Sequence, residues 1–552
     1  MSTNMDSTEC IESSAPERKL GVALPVAHLL ALAPIDVWFG MLSGSRVHPR
    51  YWIRLIGIGF TSLVGTIWSL PERVLFWIGW TLFKKDPERF EHPAGVLVIV
   101  GYYRSGTTHA HNLIACSSSV ITPRWYQALL GQGCWISWAI TRVLLVPFLG
   151  SSRPQDGVGF GPMWPAEDDF ALAGWGRCSP LPGRLIFPRS RARWDRWNDL
   201  GSCTADERRR WRRTLAGFAW KVTRRDPTKL LVLKTPNHGS HIAELVEVFG
   251  DHVRFLHVSR DPEKVLESNL RMHDALSAHL LQDPVDPTTL RADILDEYEQ
   301  IERATIEQSQ SLDEGRIAFV RHENLLADPC TQLESAFERL GLSFTESDRV
   351  AIERYLGELG PYVKPVQAAI DMGTPRADER ERIERLQELR PSIDAVDAAP
   401  LSHTEPEHPR VVRGMVAAAI FMIVWGLLWI GAIWVIKQID PEIKPRLDQL
   451  VWIGGSVIGI ASIKASRRGS KQLGILAAAL TLLVFVVLSF PITVLNWNFA
   501  SDGTREQFLY HNTKGALHGL LAPSSLIFAL LGMITAFRHA GSTGPRAPGL
   551  GG

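Results

Sequence analysis

The stretch VLVIVGYYRSGTTHAHNLI, Val96 to Ile114, constrains this chain more than any other. Val96 to Val100 is a short unbroken apolar run, as expected of a strand buried on both faces. From Gly101 to Gly106, glycine at both ends lets the backbone turn tightly and approach a ligand closely. Thr107 onward reads as a helix whose opening N–H groups point back into the loop. Strand, loop and helix N-terminus together form an anion cradle, because unpaired amides and the helix dipole both favour negative charge. Gly101, Gly106 and Thr108 fit the phosphate-loop pattern G-x-x-x-x-G-K-[ST], except that Thr107 stands at the lysine position. Without that lysine the loop lacks its usual β/γ-phosphate contact, while Arg104 places a cation inside it. The ligand read from this is anionic and nucleotide-like but not ATP. The competing reading is a plain strand–helix turn with a surface arginine.

Further strand–helix units follow. Leu230 to Leu233 reads as a buried strand ending in Lys234-Thr235-Pro236-Asn237-His238. The helix after it shows Ile242, Leu245, Val246 and Phe249 on one face. Val253 to Ser259 is the next strand and ends in Arg260-Asp261-Pro262, with Pro262 at a first helical position and Ser268 on that helix. Arg316 to Arg321 is another strand, and Asp328-Pro329 turns the chain into an amphipathic helix ending near Gly341. Such alternation predicts an α/β domain with a central parallel sheet, whose ligands gather at the carboxyl ends of the strands. The Gly101 loop, Lys234 and Arg260 then share one rim.

Between these units lies PMWPAEDDFAL, Pro162 to Leu172. Glu167, Asp168 and Asp169 in apolar surroundings suit a general base. A helix N-terminus after Pro165, with acids on its dipole, explains them equally well. The apolar segment Trp125 to Leu149 reads as a pocket wall, a membrane-facing flap or plain core. The arginine- and tryptophan-rich Arg189 to Arg213 is interspersed with acids and reads as a solvated helical surface. No nucleic-acid partner is expected, since no recognised binding module is present and 59 basic residues meet 58 acidic ones. Six scattered cysteines without ligand-like spacing support neither a zinc site nor a disulfide framework.

The segments GYYRSGTTHAHNL, RPQDGVGFGPMWPAEDDFAL, LVLKTPNHGSHIAELVEVFGDHVRFLHVSRDPEKVLES and FVRHENLLADPCTQLESAFERLGL together resemble the sulfotransferase superfamily. The likeness is to its bacterial members with G-x-x-R-S-G-T-T loops, and it spans about Val96 to Leu342. It implies a P-loop-like three-layer domain and 3′-phosphoadenosine 5′-phosphosulfate (PAPS) as co-substrate, with no metal. It further implies that Arg104, Ser105, Gly106, Thr107 and Thr108 form the 5′-phosphosulfate loop. Arg260 and Ser268 match the pair that grips the 3′-phosphate. Lys234, with Arg104, matches the group that stabilises the transferring sulfuryl and its bridging oxygen. Some relatives place a glutamate base where this chain has Tyr126-Gln127; others use a histidine nearer the acidic cluster. Glu167 is the first choice of base here and Asp168 the next, with His238, His109 and His111 still open. The expected reaction is sulfuryl transfer to a hydroxyl or amine of a small-molecule or lipid acceptor. A P-loop kinase or nucleotide hydrolase, and a nucleotide-binding membrane scaffold, are the alternatives.

Domain organisation is read from shifts in composition. Residues 1–90 hold a polar tail and apolar helices, the first run broken by Pro25, Pro34 and Asp36 and a separate amphipathic segment running from Pro71 to Phe83, that lie on a bilayer or pack on the catalytic domain; a spanning hairpin also fits the length of Ile53 to Leu70. Residues 91–375 form the sulfotransferase-like domain, and 376–410 a charged, solvated helix and a linker. In 411–540 four apolar runs, Gly414 to Ile436, Leu450 to Ile463, Leu473 to Leu495 and Ala516 to Phe537, predict an all-α transmembrane bundle. Lys464, Arg467, Arg468 and Lys471 lie between the second and third runs, and Arg410, Arg413 and Arg538 flank the set. By the positive-inside rule this makes an integral membrane protein with its catalytic domain in the cytoplasm. Residues 541–552 read as a disordered tail.

Overall fold

Five apolar runs become the strands of one parallel sheet: β1 (Val96–Val100), β2 (Val120–Ile121), β3 (Leu230–Lys234), β4 (Val253–Ser259) and β5 (Ile317–Arg321). The computed structural model describes residues 28–83, 86–137, 158–359 and 372–390, with isolated positions from 141 to 153 and from 475 to 534. The strand order is β2-β3-β1-β4-β5. All of β1 is buried, as its unbroken apolar run requires. Val96 pairs with Leu231 on one side and Val253 on the other, and Ile99 lies opposite Lys234 and Leu256. The carboxyl ends of the three middle strands therefore finish side by side. Chain connections leave β1 in one direction and later cross to β4 in the other, the switch-point geometry at which open α/β sheets hold ligands.

The helices follow from local signals. In chain order they are α1 (Ile35–Leu42), α2 (Trp52–Phe83), α3 (Thr107–Ile114) and α4 (Ala205–Thr223). Next come α5 (Ile242–Phe249), α6 (Pro262–Ala275) and α7 (Pro287–Ser309). The last three are α8 (Pro329–Arg339), α9 (Glu346–Leu359) and α10 (Glu379–Leu389). The Asp261 side chain accepts from the amides of Glu263 and Lys264, and Pro262 opens α6. Thr204 and Glu207 cap α4 reciprocally. Arg212 on α4 ion-pairs with the largely enclosed Glu88 and Glu244, and Trp194, Trp197 and Trp211 are buried, so the arginine- and tryptophan-rich stretch is solvated on one side only, against the sequence reading.

Two further elements differ from the sequence reading. The charged stretch expected in solvent, α10, docks on α7: Ile383 and Leu386 are buried, Arg291 holds Glu379, and Arg382 meets Asp296 at 2.5 Å. Its narrow apolar stripe is enough to bury one face. The apolar N-terminal region is not broken at Pro71, for α2 runs straight through it. Pro71 removes one internal hydrogen bond, but side chains on both sides of it are tied to the domain. The Ser62 hydroxyl donates to the Ala33 carbonyl at 2.8 Å, and the Glu72 carboxylate accepts the Ile136 amide at 2.9 Å. With the turn before it, Pro49–Trp80 is long and apolar enough to cross a membrane, at a mean hydropathy of 1.5. The core helix of a soluble protein passes the same test. Apart from those isolated positions in the third and fourth, the four apolar runs lie outside the described residues, as do the linker after Arg390 and the tail.

Candidate active site

The loop after β1 is built from backbone that only special residues tolerate. Gly101 has φ +130°, and a Cβ there would lie 2.3 Å from the Val258 carbonyl oxygen on β4. Gly106 has φ +101°, and a Cβ there would strike the His322 ring. Arg104, between them, is itself left-handed at φ 71°. This coil brings β1 to α3, whose N-cap is Gly106 with no side chain capping it. Gly106→Ala would force a left-handed alanine, costing ~1–2 kcal/mol, against an occupied space. The variant is expected to lose several degrees in thermal unfolding and to lose nucleotide binding, both measurable on the purified protein.

Lys234 closes β3 beside this loop and is 2% exposed. Its Nζ donates to Thr108 Oγ1 at 3.1 Å and ion-pairs with Glu167. Burial pushes the ammonium down, and the Glu167 carboxylate works against that. The neighbouring acids face elsewhere. Asp168 is fully buried, accepts the backbone N–H of Lys234 at 3.2 Å and pairs with His238 Nε2 at 2.6 Å. Burial alone would raise the Asp168 carboxyl, but the His238 contact holds it below the usual range. Burial also drives the Asp169 carboxyl well above its usual range. A short helical turn, Asp169–Ala171, begins here with Asp168 at its N-cap position and Asp169 in its first turn, so the helix-N-terminus reading holds for these two acids and not for Glu167.

On the opposite flank, Arg104 Nε donates to Ser268 Oγ at 3.0 Å, and Arg260 donates to the Arg104 carbonyl at 3.2 Å. Ser268 lies on α6, two turns beyond the end of β4. The three cations read from the sequence, Arg104, Lys234 and Arg260, thus converge on one loop, and Ser105, Gly106, Thr107, Thr108 and Ser268 lie with them. Of the histidines, His111 bonds Thr122 inside the core, while His109 meets the His322 ring edge-on at 6.2 Å.

Sequence reasoning missed two features of this rim. His322 follows β5 immediately and packs against Gly106; burial and then Arg260 push its imidazole down to about 4. Its Nδ1 is buried with no hydrogen-bond partner. Its place at a strand's carboxyl end could have flagged it. The second is a polar web beneath the loop. Buried Arg184 pairs with Glu297, lies 3.8 Å under the Tyr103 ring, and shares Asn269 with the Tyr103 carbonyl. Such a web depends on contacts about a hundred residues apart, which no local signal carries. Among the described residues, no group of three or more His, Cys, Asp or Glu side chains could hold a metal ion.

Residues 181–346 match the model of the sulfotransferase family. Over 334 residues the chain is 29% identical to the omega-hydroxy-beta-dihydromenaquinone-9 sulfotransferase Stf3 of Mycobacterium bovis, covering 59% of this chain and 82% of that protein. The same figures hold for the protein of that name from Mycobacterium tuberculosis. Among solved structures, the sulfotransferase STF1 of Mycobacterium tuberculosis aligns at TM-score 0.43 and 16% identity, over 64% of this chain and 89% of that one. The sulfotransferase STF9 of Mycobacterium avium aligns at TM-score 0.44 and 15% identity, over 65% and 95%. The match over residues 181–346 and the likeness to the two curated relatives support a place for this chain among the bacterial sulfotransferases. It is an enzyme that transfers sulfuryl groups.

Proposed function

We propose that the enzyme takes the sulfuryl group of PAPS and transfers it to a hydroxyl, or an amine, of a membrane-soluble acceptor. The observation that carries this is the bonding of one loop to both neighbouring strand ends: Arg104 to Ser268 and Arg260 on one side, Thr108 to Lys234 on the other. Arg260 and Ser268 suit a ribose 3′-phosphate, offering a charged fork and a hydroxyl. The uncapped start of α3, with Ser105, Gly106, Thr107 and Thr108, suits the 5′-phosphate.

In the transfer, an acceptor oxygen or nitrogen forms a bond to sulfur as the bond from sulfur to the 5′-phosphate oxygen breaks. Adenosine 3′,5′-bisphosphate leaves. Lys234 and Arg104 neutralise charge on the bridging and equatorial oxygens. Glu167, held beside Lys234 and the least enclosed of the three acids, accepts the acceptor's proton. Their ion pair keeps a buried lysine charged before donor arrives; donor then competes for the ammonium and frees the carboxylate. Asp168 serves as a positioning residue, fixing the end of β3 through the Lys234 amide.

The relatives are named for a hydroxylated dihydromenaquinone, which favours a lipid alcohol as the acceptor class. Four uncharged C-terminal runs and the exposed apolar side of α2 favour membrane attachment, and the flanking basic clusters favour a cytoplasmic catalytic domain. Membranes carrying the enzyme, supplied with ³⁵S-labelled donor, should yield label in the organic extract. Label confined to water-soluble compounds would remove the lipid acceptor; donor binding without any transfer would favour the scaffold reading.

A further inference from the structure

α2 has two seams on opposite sides, and the catalytic domain fills one of them. Ile58, Ser62, Gly65, Ser69, Glu72 and Phe76 recur at intervals of three and four and are buried against the domain. Across the helix, Ile53, Phe60, Ile67 and Val74 recur every seven residues. Ile56, Leu63, Leu70 and Trp77 each follow three residues later. All of these are exposed, Ile53 at 85%, Ile67 at 66% and Trp77 at 63%. A seven-residue apolar repeat sustained for about 36 Å, at 1.5 Å per residue, is the surface one helix offers another.

The positions flanking the open seam say where its partner lies. On one side stand Trp52, Gly59, Thr66 and Arg73; on the other, Gly57, Val64, Pro71 and Ile78. Only Arg73 is charged, and it is paired with Asp36 at 3.0 Å. Helices that pair in water carry charges at these flanks. Uncharged flanks with glycines suit helix packing in hydrocarbon instead, where close approach supplies the attraction. Beyond α10 the sequence holds apolar runs long enough for such helices. The first C-terminal run, Gly414 to Ile436, has 23 residues, about 35 Å as a helix, which matches the seam. It opens with Gly414 and Ala418, four residues apart, the small-xxx-small spacing that lets helices approach closely. The tether from 391 to 410 reaches roughly 70 Å when extended, and it raises the local concentration of the run to the order of millimolar. It starts at α10, which packs on α6. The turn after α6 reaches the foot of α2, where Arg54 donates to the Leu280 carbonyl at 2.5 Å.

We propose that the run from Gly414 to Ile436 packs along the open seam of α2 of the same chain, so that α2 joins the membrane region and fixes the catalytic domain against it. This rests on the membrane-attached reading above. The test uses the full chain in membranes, with a diazirine amino acid at position 60 or 67. Alkaline carbonate extraction is run first: release of the protein would overturn the membrane reading itself and this packing with it. With the protein retained, irradiation should give adducts in peptides from residues 411–440, on a band of monomer size. Adducts to lipid alone, or to a second copy on a dimer-sized band, would overturn the packing and leave the membrane reading standing.

Discussion

Lys234→Ala should reduce sulfuryl transfer by about 10²–10³-fold, the usual loss when one preorganised donor to a developing oxyanion is removed. Lys234 is nearly enclosed, so its charge acts in low dielectric, and its Nζ sits on Thr108 at the mouth of the phosphate loop. Donor affinity should change only a few-fold, because the remaining loop and the Arg260–Ser268 flank are intact. This is the pattern of a group whose contact tightens in the transition state, with kcat and kcat/KM falling together. Lys234→Arg should recover little, since a planar fork does not replace a compact ammonium. Removing the lysine also leaves Glu167 without its partner, so Lys234→Ala with Glu167→Gln separates lost electrostatics from an unpaired carboxylate. Mass-spectrometric comparison of sulfated lipids, with and without each substitution, reads the effect in cells.

Arg260→Ala should act on the other quantity, weakening adenosine 3′,5′-bisphosphate by about 10- to 100-fold. Hydrogen bonds to charged groups contribute roughly 1.5–3 kcal/mol, and each 1.4 kcal/mol is tenfold in Kd. Adenosine 5′-phosphosulfate, which lacks the 3′-phosphate, should bind wild type and variant alike. The specificity of that loss matters because Arg260 also supports the loop through the Arg104 carbonyl. A collapsed loop would weaken both nucleotides, whereas a missing phosphate contact weakens one. Ser268→Ala should give a smaller loss in the same direction, limited to one hydroxyl that the structure places on Arg104 Nε.

The framework was legible wherever chemistry is local. Glycines that must turn left-handed, a proline at the first position of α6 and short apolar strands are written in adjacent residues, and they locate β1, β3, β4 and the loop between them. Parallel pairing then follows from connection rules, which is why Lys234 and Arg260 could be placed on one rim, whereas the strand order itself was not legible. The contacts that depend on distant segments were not legible. Nothing near Asp168 announces that it will meet His238, 70 residues on, and the acids at 167 to 169 read alike until folding gives Glu167 to Lys234, Asp168 to His238 and buries Asp169. The same holds for His322 against Gly106 and for α10, whose charges mask a buried stripe. At Pro71 local propensity misled, because the domain's grip on Ser62 and Glu72 outweighs one lost hydrogen bond.

Calorimetric titration of the purified full chain with adenosine 3′,5′-bisphosphate, in parallel with magnesium ATP, tests the central claim most directly. One molecule should bind per chain in the micromolar range, with ATP far weaker. Binding should survive Lys234→Ala and weaken by about 10- to 100-fold in Arg260→Ala. Tighter binding of ATP, or no heat from the bisphosphate in a folded protein, would contradict the site described above.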